Sequence, residues 1–225
     1  MMKMGYWATH EYSRHSVADD VEEFCGWQRL IEIVSRGGSQ RNNSFLATLF
    51  LSGGRVSEVL QLSDDMFDHR PEENVVIVRG MTMLKRFRKI DEKVDEDGKL
   101  RWVTEPIISY RRPFPILLQE PLTPIMLRWV ESSNGLLFPS PYRDGPLSRS
   151  WAYKLVRRVG EDLGMEHLRP HWFRSQRACQ LVSDYGFEVL DLVDFFRWRK
   201  SDTALTYARR GWRGLVSKMK PIRYV

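Results

Sequence analysis

The chain changes texture at Asn74, and that change constrains its fold more than any other feature. Ahead of it, apolar residues recur with helical spacing and are cut into short runs by Gly37-Gly38 and Gly53-Gly54. Residues 17–36 are expected to form a first helix, opened by a capping box at Ser16 and Asp19. Val17, Val21, Phe24, Ile31 and Val34 supply its apolar stripe. A second helix is expected over 41–52, and Arg55 opens a short third one in RVSEVLQL. From Asn74, NVVIVRG and later PIISYRRPFPIL have strand composition. The charged stretch DEKVDEDGKLR between them carries a turn signal at Asp97-Gly98, so the pair reads as a small antiparallel sheet with a long hairpin. Helical patterns then resume at 123–132, 148–163, 171–185, 188–196 and 201–209, with GLLFPSPYRDGP as a loop containing a short extended piece. The expected fold is a mainly helical α+β domain over 17–225, preceded by a polar, aromatic arm over 1–16.

Composition narrows the function classes. The formal charge of +6 over 225 residues suits a polyanionic partner. Two cysteines, Cys25 and Cys179, are too few for a disulfide framework and are read as buried free thiols in apolar helical patterns. The five histidines are scattered, which gives no metal-ligand spacing and no expected metal or cofactor. No stretch approaches the ~18 apolar residues of a membrane span, and no signal peptide is visible. A soluble, cytoplasmic protein is the expectation.

The chemistry-bearing residues form an ordered series. Arg55 and Glu58 stand one helical turn apart in GGRVSEVLQL. His171-Trp172-Phe173-Arg174 follows, and i, i+3 spacing on a helix sets an imidazole beside a guanidinium. Trp198 comes next, and Tyr207 lies nine residues beyond it in TALTYARR. A guanidinium can clamp two oxygens of a phosphate, a histidine can donate to it or move a proton, and an indole can donate once. Arg86, Arg88, Lys93, Arg111, Arg112, Arg157, Arg158, Arg177, Arg199, Arg209 and Arg210 lie in or beside these segments. On one face they would track phosphates and supply salt-dependent affinity.

Order and spacing together resemble the tyrosine recombinase (phage integrase) family over roughly residues 20–210. FLSGGRVSEVLQL is similar to the segment carrying that family's first arginine, RPHWFRSQRACQLVSDYG to its His-x-x-Arg helix, and TALTYARR to the segment carrying its tyrosine. The resemblance implies a tyrosine-recombinase catalytic-domain fold, with Arg55, His171, Arg174 and Trp198 around one DNA phosphate, Glu58 supporting them and Tyr207 as nucleophile. It also implies a hairpin lysine as general acid, for which RGMTMLKRFRK offers Lys85 first and Lys89 second. Arg86, Arg88, Arg111, Arg112, Arg177 and Arg199 are the expected DNA contacts. The implied activity is site-specific cleavage and rejoining of double-stranded DNA through a 3′-phosphotyrosyl intermediate, by copies assembled into a synaptic tetramer. A type IB topoisomerase-like enzyme, or a DNA-binding module of the same fold without turnover, remain the alternatives. Two departures stand out. Ser175 follows the second arginine where many members carry His or Arg. No room is left before the first motif helix for the family's helical DNA-clamping domain, so a catalytic fragment or a minimal form is expected.

Overall fold

The computed structural model describes residues 23–83, 87–94, 98–106 and 109–208. Its centre is a single helix whose residues are buried on every side. Helix α2 (Gln40–Ser52) starts at Ser39, whose hydroxyl accepts from Asn42 N at 3.3 Å, and stops at Gly53 in the left-handed conformation. Every residue from Ser44 to Ser52 is buried. The hydroxyls in that stretch find carbonyls, Thr48 donating to Ser44 O at 2.7 Å and Ser52 to Thr48 O at 2.6 Å within the helix, and Ser44 to Ile125 O at 3.0 Å outside it. Such back-bonding lets a helix carry polar residues through a core.

Around α2 pack α1 (Trp27–Ser35), α4 (Thr123–Ser132) and α6 (Pro170–Tyr185). Helix α3 (Val56–Val59) follows α2 directly, and α5 (Arg149–Asp162) lies against α3 and α6. The chain closes with α7 (Val189–Phe196) and α8 (Ser201–Ala208), which pack on each other, with α8 also against α6. The expected boundaries of α4 to α8 hold to within one or two residues over the described chain.

The first helix differs from expectation. Residues 23–26 are not helical, and Gly26 at φ 86° turns the chain into α1 at Trp27. Leu30, Ile33 and Val34 form the buried stripe, while Ile31, expected inside, is 40% exposed. Phe24 still reaches the core, stacking at 6.2 Å on Phe50. The helical spacing holds from Trp27 onward, with Leu30, Ile33 and Val34 setting its phase. The capping box at Ser16 and Asp19, with the arm over 1–16, lies outside the described residues.

The sheet expectation is confirmed and extended. Strand β2 (Val75–Val78) is the middle of a three-stranded antiparallel sheet, between β1 (Phe67–Arg70) and β7 (Phe114–Leu117). β1 reads FDHR, which has no strand composition; its pairing from Phe67↔Val78 to Arg70↔Val75 is imposed by the buried valines opposite. The stretch PIISYRRPFPIL is two strands rather than one. A two-residue pair of β3 (Thr82–Met83) and β6 (Ser109–Tyr110) stops before β7, and Arg111 lies in the break. Strands β4 (Phe87–Val94) and β5 (Leu100–Pro106) form the long hairpin, with Gly98 at φ 74°.

Candidate active site

The site grows from a turn that only glycine can make. Gly53 has φ 55°, and a Cβ there would fall 2.4 Å from Phe196 Cε1. A Cβ on Gly54 would meet Met81 Cε at 2.5 Å and Val59 Cγ2 at 2.8 Å. Without side chains, the turn between α2 and α3 closes onto the end of α7. Arg55 emerges from it as the cap of α3. Glu58 accepts both the Arg55 backbone N–H at 2.8 Å and Arg55 Nη1 at 2.7 Å, which fixes where the guanidinium points. The Glu58 side chain is almost fully buried, whereas Arg55 keeps 27% of its side chain exposed.

Helix α6 supplies the second arginine. Pro170 occupies its first position, where a missing N–H costs nothing. His171 is exposed one turn before Arg174, which is buried. Arg174 Nη1 donates to Gly53 O and Nη2 to Phe196 O at 3.2 Å, with the guanidinium 4.7 Å from the Phe196 ring centroid. Burial, and then repulsion from Arg55, pull its pKa down to about 10, while Glu58 and Tyr207 act in the opposite direction. Arg55, Glu58, Arg174 and Tyr207 therefore share one electrostatic site.

The aromatic residues complete it. Arg197 adopts a left-handed conformation at φ 55° and turns the chain out of α7. Trp198 then lies between two rings, stacked on Phe196 at 4.6 Å and on Tyr207 at 5.5 Å with planes 15° apart. The Tyr207 hydroxyl is 3.0 Å from Ser175 Oγ, next to Arg174 along α6.

Two of the expected DNA contacts, Arg111 and Arg177, are buried and bonded within the protein. Arg111 is 3% exposed, its Nε donating to Phe195 O and its Nη1 to Ser52 O at 2.6 Å. Burial drives its pKa well below the usual arginine value, with repulsion from Arg174 next and attraction from Glu58 opposing. Arg177 is also buried, its Nη1 2.8 Å from both oxygens of Glu120 and from Gln180 Oε1. Tyr185 donates to the same carboxylate at 2.7 Å. Arg111 and Arg177 thus spend their guanidiniums on partners inside the protein, whereas Arg158, which also donates to Gly37 O at 2.7 Å, stays exposed. For Arg177 the signal was present: four residues after Phe173 and four before Leu181, it falls on the buried stripe of α6.

Arg112 and Arg199 are exposed, Arg112 near Asp194 at 3.3 Å. Lys85, Arg86, Arg209 and Arg210 lie outside the described residues, and Arg88 is placed only as part of β4. Lys89 lies over the Trp102 ring at 3.9 Å. Cys179 is buried in α6 as expected. Cys25 precedes α1 rather than lying in a helix, and burial pushes its thiol up to about 11. Among the described residues no group of three or more His, Cys, Asp or Glu could hold a metal ion, and no helix is long and apolar enough to cross a membrane.

Arginines from two helices converging beside a phenol, on a helical domain with small antiparallel sheets, define a site suited to an anionic ligand. The chain belongs to the phage integrase family, which it matches over residues 26–211. Solved structures share the fold. The recombinase XerH bound to its difH substrate, before cleavage, superposes with a TM-score of 0.58 at 15% identity, over 88% of this chain and 53% of XerH. XerA recombinase gives 0.58 at 17% identity, over 91% and 66%. The Tn1549 transposon integrase in complex with circular intermediate DNA gives 0.55 at 16% identity, over 86% and 62%. The chain thus spans about half to two thirds of the length of these proteins. No curated protein sequence matches it significantly.

Proposed function

We propose that this chain is the catalytic domain of a site-specific DNA recombinase with Tyr207 as its nucleophile. The observation that carries the reading is the placement of the Tyr207 hydroxyl, 3.0 Å from Ser175 Oγ and within the electrostatic reach of Arg174. Tyr207 Oη attacks a backbone phosphorus, forming a 3′-phosphotyrosyl ester as the bond from phosphorus to O5′ breaks. The phenol proton is lost to a base, for which His171 on the exposed first turn of α6 is the candidate. O5′ leaves with a proton from Lys85. A 5′-hydroxyl of a second strand reverses the step, and the ester conserves the bond energy.

Arg55 and Arg174 stabilise the charge that builds on the non-bridging oxygens. Arg174 spends two of its five N–H groups on backbone carbonyls, so its guanidinium is held rigidly with donors to spare. Trp198 packs the nucleophile's ring. Double-stranded DNA is the partner, with copies assembling on it as a synaptic tetramer, and the setting is cytoplasmic. Residues 17–225 form the catalytic domain in this reading.

Incubation with nicked suicide duplexes tests it. A covalent adduct that maps to Tyr207 and vanishes in Tyr207→Phe is the expected result. An adduct at another tyrosine overturns the assignment, and no adduct at all leaves a binding module. Relaxation of supercoils without strand exchange makes the enzyme a topoisomerase.

A further inference from the structure

We infer that Ser175 positions the nucleophile, its hydroxyl holding the Tyr207 phenol on the helix that carries Arg174. The inference rests on Tyr207 being the attacking residue. Ring stacking and a hydroxyl contact both restrain that side chain. Stacking on Trp198, with planes 15° apart, fixes the plane of the ring but leaves it free to slide within that plane. The 3.0 Å contact with Ser175 Oγ restrains the hydroxyl end against that slide. Ser175 is 6% exposed, so bulk water does not compete strongly for its hydroxyl. A serine hydroxyl is both donor and acceptor. It can accept from the neutral phenol and, after a rotation about Cβ–Oγ, donate to the phenolate, so the oxygen keeps its partner while its proton departs. An alanine at 175 offers neither. His171 and Arg174 belong to the same helix as Ser175, so one rigid element orients the attacking oxygen and the groups that receive the phosphate.

The test has two arms on the full chain. In urea unfolding, Ser175→Ala, Tyr207→Phe and the double substitution form a cycle. The expected coupling is about fivefold in the unfolding constant, the size of one hydrogen bond. Additive effects overturn the inference. In the second arm, nicked duplexes with a randomised crossover sequence are supplied at saturation. Ser175→Ala is expected to slow adduct formation about tenfold while duplex affinity stays unchanged. An unchanged rate, or equal losses in rate and affinity, removes the positioning role. Additivity in the cycle with a normal Tyr207 adduct in the parent chain sinks the Ser175 inference alone. An adduct that persists in Tyr207→Phe sinks the nucleophile as well.

Discussion

Arg111, between β6 and β7, and Arg174, on α6, bridge the same two turns. Arg111 donates to Ser52 O and Phe195 O, and Arg174 to Gly53 O and Phe196 O. The turn that presents Arg55 is thereby tied twice to the end of α7, which leads through Trp198 to the helix of Tyr207. Both guanidiniums are buried, and in both burial is the largest influence lowering the pKa. The site is therefore built on stapled backbone carbonyls, and one staple residue, Arg174, is also the one proposed to meet the phosphate.

Arg111→Ala is expected to cost roughly 2–4 kcal/mol, because two buried carbonyls lose their donor and a void opens between the Phe114 and Phe195 rings. Urea unfolding measures it. A change below 1 kcal/mol, by order of magnitude, would show that the staple is dispensable and that the turns hold each other by packing alone.

Gly53→Ala should be at least as damaging. The added methyl meets Phe196 Cε1, and the backbone stays left-handed at φ 55°. A loss of ~2 kcal/mol or more is expected, with reduced adduct formation from the displacement of Arg55. Full stability in this variant would mean that the α2–α3 turn does not need its close approach to α7.

Much of the architecture was legible because it rests on local signals. Glycine pairs stopped helices, valine-rich runs made the central strand, and the motif order gave the family. What was not legible depended on partners distant in sequence. β1 has no strand composition and pairs only because Val75, Val76 and Val78 need a neighbour. Arg111 looked like one more basic residue beside Arg112, yet adjacent residues on an irregular segment face opposite ways, so one is buried and the other exposed. Ser175 registered only as a departure from the usual family residue. Its contact with Tyr207, across 32 residues, exists only once α8 folds back on α6.

Salt dependence separates surface arginines from buried ones. Arg112→Ala or Arg199→Ala should each reduce the log–log slope of duplex affinity against salt by about one. Arg177→Ala should leave the slope unchanged while lowering stability, since its partner Glu120 is 1% exposed. Glu120→Ala strands a buried guanidinium and is expected to cost about 3–5 kcal/mol. A slope that falls for Arg177→Ala would place that arginine on DNA after all.

Cys25 should resist alkylation. Burial raises its pKa from 9.0 to about 11, so the thiolate fraction near pH 8 is about a hundredfold below that of an ordinary thiol. The folded chain holds this proton more tightly than the unfolded one. Its contribution to stability is therefore complete below about pH 9 and is lost as pH rises towards 11. Iodoacetamide labelling read by mass spectrometry, with a denatured control, measures the protection. Equal labelling rates for the folded and denatured chains would contradict it.

Arg55 is the cleaner of the two arginines proposed for the phosphate as the subject of a kinetic test. Arg174→Ala removes a staple together with a proposed catalytic group, so its effect mixes folding with chemistry. Arg55 uses its side chain on Glu58 alone among the bonds described above and retains an exposed edge. Arg55→Ala leaves the buried Glu58 carboxylate with the backbone N–H at 2.8 Å, so a loss of stability smaller than that of Arg174→Ala is expected and is read by urea unfolding beside the rate. Adduct formation at saturating DNA is expected to slow by roughly a hundredfold or more, as loss of a donor to a developing oxyanion does. Duplex affinity should change far less, because exposed arginines elsewhere carry most of the electrostatic attraction. Arg55→Lys should recover little, since an ammonium cannot reproduce a two-pronged donor while also meeting Glu58. Equal losses in cleavage and binding would make Arg55 a ground-state anchor, and the transition-state role would pass to Arg174 alone.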